Sequence, residues 1–505
     1  MRFLLVVHAA SGLLSARPRA IGARSARRAA PVAEAPLVEI AAAAPASTTF
    51  VCEPDGSCAP VPCASDGCPV GLHVRLEDEW FDLTGWRAAH PAGGLWLDYF
   101  DKRDATEVMH AFHSDKARLM FQRLPKSPPA AALALEAQAA PVTPVMRAFR
   151  ELRIQLEKDG WWKRDVKHEV TLLVLWAFTY GLGLGLVRSV SAPLRYAGTA
   201  TLAVANTQTG WIAHDYIHGV DAWSRRLRLM GPLFGGMAPL WWSDKHNKHH
   251  ALTNEVGVDE DIATDPFLFV FPPAPASDNK WRKWQHYTVG LPFSALFAIW
   301  RFDSIKTIYQ ELFGGGKPGF AQNDDVAKQT AKQKGVSAKK PKARASARAE
   351  GACLAVHWAG VFALVPKHII PQYILLSGLL TAIIVTATHQ SEEMFENFNA
   401  DFVDNQFRTT RDATTRTRFT QWLWGGMQYQ VEHHLFPTMP RSKYPALRPI
   451  LEKFASDHKI PGGLRVSDEF HLVKLNWDTY RTVAAAPANP HAPPTRGRIG
   501  QAAIA

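Results

Sequence analysis

The chain has 505 residues, 47% of them hydrophobic, and carries a formal net charge of +11. This length allows roughly two or three folding units, and the composition fits a globular protein or a membrane protein with sizeable soluble parts. The basic residues concentrate in two acid-free stretches, 1–28 and 326–348, where aromatic residues do not alternate with them, so nucleic acid is excluded as an expected partner.

The first 71 residues predict a targeting segment followed by a disordered, cysteine-containing linker. MRFLLVVHAASGLLSA has the short apolar stretch and small residues of a signal peptide, and the Arg- and Ser-rich segment after it is typical of a transit peptide. The favoured location is therefore a plastid membrane, with the endoplasmic reticulum membrane as the alternative. The spacing of Cys52, Cys58, Cys63 and Cys68 contains no C-x-x-C pair, so it predicts neither a zinc site nor a disulfide framework. The alternative interpretation of these cysteines is a small lumenal loop closed by a disulfide.

Residues 72–126 have the mixed short elements of a small soluble domain. The stretch HPAGG, followed by DATEVMHAFH, resembles the cytochrome b5 family, whose signature is a His-Pro-Gly-Gly turn and a later second histidine. The resemblance implies a small α+β fold in which His90 and His113 are the two axial ligands of haem b. With both axial positions filled, such a haem transfers electrons and does not bind oxygen. Ala92 replaces the first glycine of the signature. An alanine is compatible with this position only if the backbone φ there is negative.

Long apolar runs begin near residue 170. Four of them are expected to cross a membrane, for which a helix requires roughly 20 residues. They are Val170–Val187, Pro193–Ala213, Cys353–Pro366 and Ile369–Thr388. Tyr287–Phe302 is expected to lie in the membrane interface. The alternative is that these runs are buried helices of a large globular core.

The predicted fold class is mostly α, with a multi-pass helical membrane domain that carries a histidine-rich helical cap. The small α+β domain lies on its N-terminal side. The membrane domain is expected at residues 149–475, after a linker at 127–148. A disordered basic loop is expected at about 321–350 and a disordered tail at 476–505.

Three histidine clusters follow apolar runs at spacings that fit one face of a helix. HDYIH, HNKHH and QVEHH, named here the first, second and third boxes, contribute His214 and His218; His246, His249 and His250; and Gln430, His433 and His434. Side chains at i, i+3 and i+4 share a helix face, so each box can present its rings to one metal site. Two predicted crossings separate the second box from the third, which returns the chain to the same membrane face. Imidazole suits iron, copper, zinc or nickel, and the seven histidines exceed the needs of one tetrahedral zinc, which favours two metal ions.

These boxes, together with WWSDKHNKHH, DEDIATDP and GGMQYQVEHHLFP, resemble the membrane fatty acid desaturases over about Phe149 to Leu475. The resemblance implies two non-haem iron ions held by the seven box histidines, a centre that uses O2 to remove two hydrogens from an acyl chain. A glutamine that opens the third box resembles the front-end subgroup. Gln430 itself and His389, at the end of the last apolar run, are additional candidate ligands. Carboxylates within or beside the boxes are candidates for orienting imidazole N–H groups: Asp215, Asp244 and Glu432.

The expected function is that of a front-end acyl desaturase, which introduces a cis double bond between an existing double bond and the carboxyl end of a polyunsaturated acyl chain. The expected partners are an acyl lipid or acyl-CoA, O2, a lipid membrane, and a reductase (an NADH–cytochrome b5 reductase or a plastid donor) that supplies electrons through the haem domain. A sphingolipid long-chain-base desaturase or a fatty acyl hydroxylase shares this architecture. Two alternatives come from other classes: a histidine-rich membrane metal transporter, which expects ligands near the bilayer midplane, and a pure electron carrier, which expects no iron beyond haem.

Overall fold

The structure, a computed structural model, describes residues 50–52, 58–60, 70–313, 343–396 and 399–492. The expected targeting segment, Cys63, Cys68 and most of the expected basic loop lie outside these residues. Phe50–Cys52 and Cys58–Pro60 pair as antiparallel strands. The predicted linker therefore has regular backbone structure at its first two cysteines.

A small α+β unit follows from residue 70. Its three-stranded sheet places His73–Leu76 between Glu79–Asp82, which runs antiparallel to it, and Arg103–Asp104, which runs parallel. Leu95–Asp98 and Thr106–Phe112 are the helices on either side of the last strand. The two antiparallel strands bury consecutive residues, such as Trp80 and Phe81, so side chains on both faces of the sheet are covered.

The remainder of the described chain is mainly helical, which confirms the predicted helical class. In chain order its helices are Asp115–Phe121, Pro129–Glu136, Pro144–Lys158, Val166–Leu186, Ala192–His218, Ala222–Leu227, Pro239–Ala251, Gln285–Thr288, Gly290–Phe313, Ala343–Leu364, Ile370–Ala387, Phe402–Thr409, Arg418–Trp424, Gln430–Leu435, Tyr444–Asp457 and Glu469–Ala485. Two short parallel strands, Asp412–Thr414 and Val466–Asp468, pair near the C-terminal end.

Two pairs of long helices build the bundle that supports the boxes. Val166–Leu186 packs along Ala192–His218, and Gly290–Phe313 packs along Ile370–Ala387, which also contacts Ala192–His218. Close approach depends on glycine, because a Cβ on Gly198 would lie 2.5 Å from the Val187 backbone nitrogen. Small residues at such contacts are typical of helices that pack within membranes.

Among the described helices, Val166–Leu186 and Ile370–Ala387 are long and apolar enough to cross a membrane, with mean hydropathies of 1.5 and 1.8. This number is smaller than the four predicted crossings. Helices do form at the other two predicted segments. Polar residues such as Asn206 and Gln208 lower the hydropathy of the first, and the second begins within the basic run. The expected interface segment forms the longer helix Gly290–Phe313.

Helices form in the predicted linker and in the two segments predicted to be disordered, so the two predictions of disorder are corrected. The expected linker at 127–148 includes Pro129–Glu136, where Glu136 accepts a 2.9 Å hydrogen bond from the Trp80 indole. The end of the expected basic loop, residues 343–350, opens a helix whose buried Glu350 accepts a bond from the Leu240 backbone. These hydrogen bonds join residues distant in the sequence and hold the segments against other parts of the fold.

The predicted disordered tail is also wrong at its start, because the helix Glu469–Ala485 covers residues 476–485. Asp468 caps this helix by accepting from the backbone N–H of Phe470 at 3.1 Å. Leu472, Asn476, Tyr480 and Val483 are buried at helical spacing. A capped helix with a buried stripe is stabilised against the bundle, whatever the Ala- and Pro-rich composition beyond it.

Candidate metal centre

The three boxes lie on three helices that meet at one end of the bundle. The first-box helix is Ala192–His218, whose last turn carries both of its histidines before Gly219 ends it. The second-box helix, Pro239–Ala251, begins with proline at a position where the missing N–H costs nothing. The third-box helix, Gln430–Leu435, is a buried segment of six residues. Each box therefore presents its rings from one helix face, as the spacing predicts.

All seven box histidines converge, and together with His389 they form two adjacent groups of potential ligand atoms. In each group the ligand atoms lie within 4.8 Å of one another. The larger group, named here the five-histidine group, comprises His214, His218, His246, His250 and His433. The smaller, named the three-histidine group, comprises His249, His389 and His434. Two groups of this size fit two metal ions.

The two groups share a border at His250 and His434, whose rings stack with their centroids 4.0 Å apart. Within the five-histidine group, the Nε2 atoms of His214 and His246 lie 3.0 Å apart. Within the three-histidine group, the ring of His389 lies 4.6 Å from that of His249. The structure thus brings His389 to the smaller group as a third imidazole.

Several box imidazoles are oriented through Nδ1, which leaves Nε2 directed at the centre. His249 Nδ1 lies 2.8 Å from Asp259 Oδ2, and His246 Nδ1 lies 3.2 Å from Asp261 Oδ2. His434 Nδ1 lies 2.9 Å from the Gln406 amide oxygen. In metal sites such partners fix the ring tautomer and orientation.

Buried ring nitrogens without a hydrogen-bond partner among the described residues test whether a metal fits. His218, His433 and His434 each bury such an Nε2 atom, and His250 buries such an Nδ1 atom. Buried polar atoms are nearly always paired, so this concentration at one point fits coordination of a metal.

In most of these rings, burial also favours the neutral form that a metal requires. Burial lowers the pKa of His389 to about 3. It lowers the pKa of four other rings well below the ordinary histidine value: His246, His250, His433 and His434. Neighbouring imidazoles lower these pKa values further, because two protonated rings would repel each other.

The carboxylates that the sequence suggested as orienting groups are engaged elsewhere. Asp215 pairs with Arg164 at 2.8 Å, and Asp244 accepts from the Trp96 indole at 3.1 Å. Glu432 faces Arg448 at 3.5 Å. The orienting acids are instead Asp259 and Asp261, which come from DEDIATDP. In the sequence, the resemblance of DEDIATDP to a known family was the signal that could have identified Asp259 and Asp261 as functional residues.

An apolar cavity of about 620 Å³ leads to the metal centre. Its lining includes residues of the metal centre, namely His214, His246, His249, His389 and Gln430. The remaining lining is mainly apolar and includes Trp211, Met237, Phe293, Phe297, Leu268 and Val385. The buried side chain of Gln430 thus lines the cavity and interacts with the ring of His389 in the three-histidine group. A cavity of this volume and lining suits a long apolar ligand.

Replacing Asp259 with asparagine is expected to lower bound iron and product formation by about 10- to 100-fold, because an uncharged partner holds His249 less firmly. Iron content per protein and product yield measure this effect. Asp457→Asn is the matched control, since Asp457 is exposed and pairs with Lys453 on the surface. Unchanged iron and yield in the Asp259 variant would contradict an orienting role.

The small α+β unit carries a pair of facing histidines of its own, separate from the histidines of the metal centre. The rings of His90 and His113 have centroids 6.2 Å apart. Their Nδ1 atoms lie 2.9 Å from the Gly93 carbonyl and 3.2 Å from the Met109 carbonyl, so each ring keeps Nε2 free. Two imidazoles on opposite sides of one iron, with iron–nitrogen distances of about 2 Å, would place ring centres about 6 Å apart. The pair therefore fits axial ligation of a haem.

The alanine in HPAGG does not disturb this turn. Gly93 has φ +98°, whereas Ala92 is not among the non-glycine residues with positive φ. The Gly93 N–H donates to the His90 carbonyl at 3.0 Å. Only the second glycine of the signature is thus required by the backbone conformation.

Comparison with known proteins agrees with this geometry. The fatty acid desaturase family profile matches residues 191–462, more than half of the chain. The Delta(6)-fatty-acid desaturase fat-3 of Caenorhabditis elegans is 28% identical over 82% of this chain and 96% of its own length. The Acyl-lipid (9-3)-desaturase of Physcomitrium patens and the Delta(8)-fatty-acid desaturase of Euglena gracilis are each 27% identical over 77% of this chain, and over 73% and 90% of their own lengths. On the matched residues, which include all three boxes, the chain belongs to the fatty acid desaturase family.

Proposed function

We propose that this protein is a front-end acyl desaturase, an oxygen-dependent oxidoreductase that adds a cis double bond on the carboxyl side of an existing one. The observation that carries the proposal is the convergence of the box histidines beside an apolar cavity. Relatives named as Delta(5), Delta(6) and Delta(8) desaturases support the front-end assignment, as does the glutamine at position 430.

The five-histidine group and the three-histidine group would each hold one iron, with His389 as a ligand and Gln430 as an additional donor. When bound, the two irons supply activation of O2. Desaturation removes two hydrogens from the acyl chain, and O2 accepts these together with two external electrons and two protons to form two waters. The chain's own contribution is to orient the imidazoles through Asp259 and Asp261 and to hold the acyl chain in a dry cavity.

The small α+β unit at residues 72–126 is proposed to be a cytochrome b5-like domain that delivers those electrons. His90 and His113 would hold haem b, and a reductase, either an NADH–cytochrome b5 reductase or a plastid donor, would supply it. The ring separation and the free Nε2 atoms support this assignment. With His90 and His113 both bound to it, a haem would have no position open for oxygen, and the chemistry it would supply is electron transfer.

The family is associated with membranes, and two described helices are able to cross one. Exposed apolar side chains on Val166–Leu186, such as Val174 and Phe178, support a lipid surrounding. We propose a multi-pass membrane protein with its boxes on one membrane face. A plastid membrane is the favoured compartment, and the endoplasmic reticulum membrane is the alternative.

The competing functions differ in what they require of the site. A metal transporter needs an ion path, whereas the cavity beside these histidines is lined mainly by apolar side chains. A pure electron carrier leaves the two histidine groups without a role. A long-chain-base desaturase or a hydroxylase shares the site chemistry and differs in the product.

Expression in a host that lacks polyunsaturated acids, fed one defined acid at a time, tests the proposal. Gas chromatography and mass spectrometry of the lipids are expected to reveal a new cis double bond between the carboxyl group and a pre-existing double bond. A variant lacking His433 provides the inactive control. A hydroxylated product, or a double bond on the methyl side, would contradict the front-end assignment.

A further inference from the structure

The small domain touches the second-box helix, Pro239–Ala251, through two aromatic residues. Trp96 donates its indole N–H to Asp244 Oδ1 at 3.1 Å. Phe112 places its ring edge-on to the ring of His250, with centroids 6.2 Å apart. Asp244 and His250 lie six positions apart on this helix, so the contacts are spread over nearly two turns.

These two aromatic residues belong to the helices beside the candidate haem ligands. Trp96 lies on Leu95–Asp98, which begins five residues after His90. Phe112 ends the helix Thr106–Phe112 and is the residue directly before His113. The side of the small domain that holds the facing histidines is therefore the side that meets the metal centre.

Further contacts hold the domain in this orientation. Arg150, on Pro144–Lys158, pairs with Glu107 at 2.6 Å and with Asp104 at 2.9 Å. The buried apolar residues of the small domain and those around the third-box helix form one continuous core. A domain fixed by buried packing and by ion pairs holds Phe112 at a defined distance from His250.

Among the described residues, Phe112 is the one aromatic residue of the small domain whose ring is seen to contact a box histidine. It is joined to His113 by one peptide bond, and its ring meets a histidine of the five-histidine group. Only one non-bonded gap therefore separates the second haem ligand from a ligand of the metal pair. His250 in turn stacks on His434, so the contact leads to both groups.

We propose that Phe112 is the residue through which electrons pass from the haem domain to the histidine-bound metal pair. This inference rests on the proposed function, in which His90 and His113 hold haem and the boxes hold iron. Each transfer oxidises one ferrous haem to ferric, and the reductase restores the ferrous state. Two transfers, together with the two hydrogens of the acyl chain and two protons, reduce one O2 to two waters.

Haem reoxidation in the full-length protein tests the role of Phe112. The protein, loaded with haem and iron and supplied with an acyl substrate, is reduced with dithionite without oxygen and then mixed with aerated buffer. The time course of reoxidation is measured from the absorbance of the haem. His433→Ala gives the background rate of direct haem oxidation. The wild type is expected to show a fast, substrate-dependent phase that this background lacks.

Phe112→Leu and Phe112→Met are expected to lose the fast phase and to reoxidise at the background rate. Methionine keeps most of the apolar volume, so Phe112→Met separates loss of the ring from loss of packing. Haem content, iron content and the rate of haem reduction by the reductase are expected to stay at wild-type levels. Phe112→Tyr keeps the ring and is expected to keep the fast phase.

Phe121→Leu is the matched control, because Phe121 packs on Phe81 within the small domain. It is expected to behave as the wild type. Two results would overturn the proposal. One is a fast phase that persists in Phe112→Met while haem and iron are intact. The other is a fast phase that is lost in Trp96→Phe but kept in the Phe112 variants. A wild-type protein that binds no haem would refute the haem assignment itself, and the inference with it.

Discussion

Replacing His250 with alanine is expected to abolish desaturation and to lower bound non-haem iron, while the haem spectrum of the small domain stays unchanged. His250 belongs to the five-histidine group and stacks on His434 of the three-histidine group, so its loss removes a ligand and disturbs the second group. The loss of product is expected to exceed the roughly 10- to 100-fold effect of removing an orienting partner. Product yield, iron content and haem absorbance measure the three effects.

His368→Ala is the matched control for this prediction, because His368 is exposed in the turn that connects Ala343–Leu364 to Ile370–Ala387. It is expected to leave yield and iron content unchanged. Removing one ring from a well-packed centre also leaves a cavity, so His250→Gln serves as a second variant of closer volume. Wild-type product from either His250 variant would show that this ring is not a ligand.

The box residues themselves are predictable from sequence because helical spacing determines which side chains share a face. His214 and His218, or His246 and His250, are one turn apart in any helix. Their division into two groups is not predictable, since it depends on how three distant helices cross. His249 and His250 are neighbours in the chain, yet they belong to different groups.

The orienting partners escaped prediction for a related reason. Asp259 and Asp261 reach the second-box histidines through an irregular segment whose path no periodicity specifies. Gln406 and Tyr444 approach the third box from helices that have no sequence signal for a metal site. Charged residues inside the boxes looked better placed, but helix geometry turns Asp215 towards Arg164.

The fold was predictable where long apolar runs define helices and not where composition suggested disorder. Val166–Leu186 and Ile370–Ala387 lie close to their predicted positions. The helix Glu469–Ala485 was missed, although Asp468 is a good helix cap and buried residues recur at helical spacing. Membrane crossing is harder to infer, because Ala192–His218 is long enough but buries polar side chains against its neighbours.

Replacing His113 with alanine is expected to remove haem from the protein and to stop turnover supported by the reductase, while iron bound at the boxes is retained. A haem held by two histidines loses one of its two axial bonds in this variant. The contact between His113 Nδ1 and the Met109 carbonyl leaves Nε2 as the ring atom available to a metal. Haem absorbance per protein and product yield with the reductase measure the loss.

His110→Ala is the matched control, since His110 lies on the same short helix but faces Glu77 and Arg118 rather than His90. It is expected to keep haem and turnover, because removing a partly exposed polar contact costs little stability. If His113→Ala kept a full complement of haem, the second axial ligand would have to be another residue. If it lost haem but desaturated normally with the same reductase, electrons would reach the metal pair without the haem domain, and the two halves of the chain would work independently.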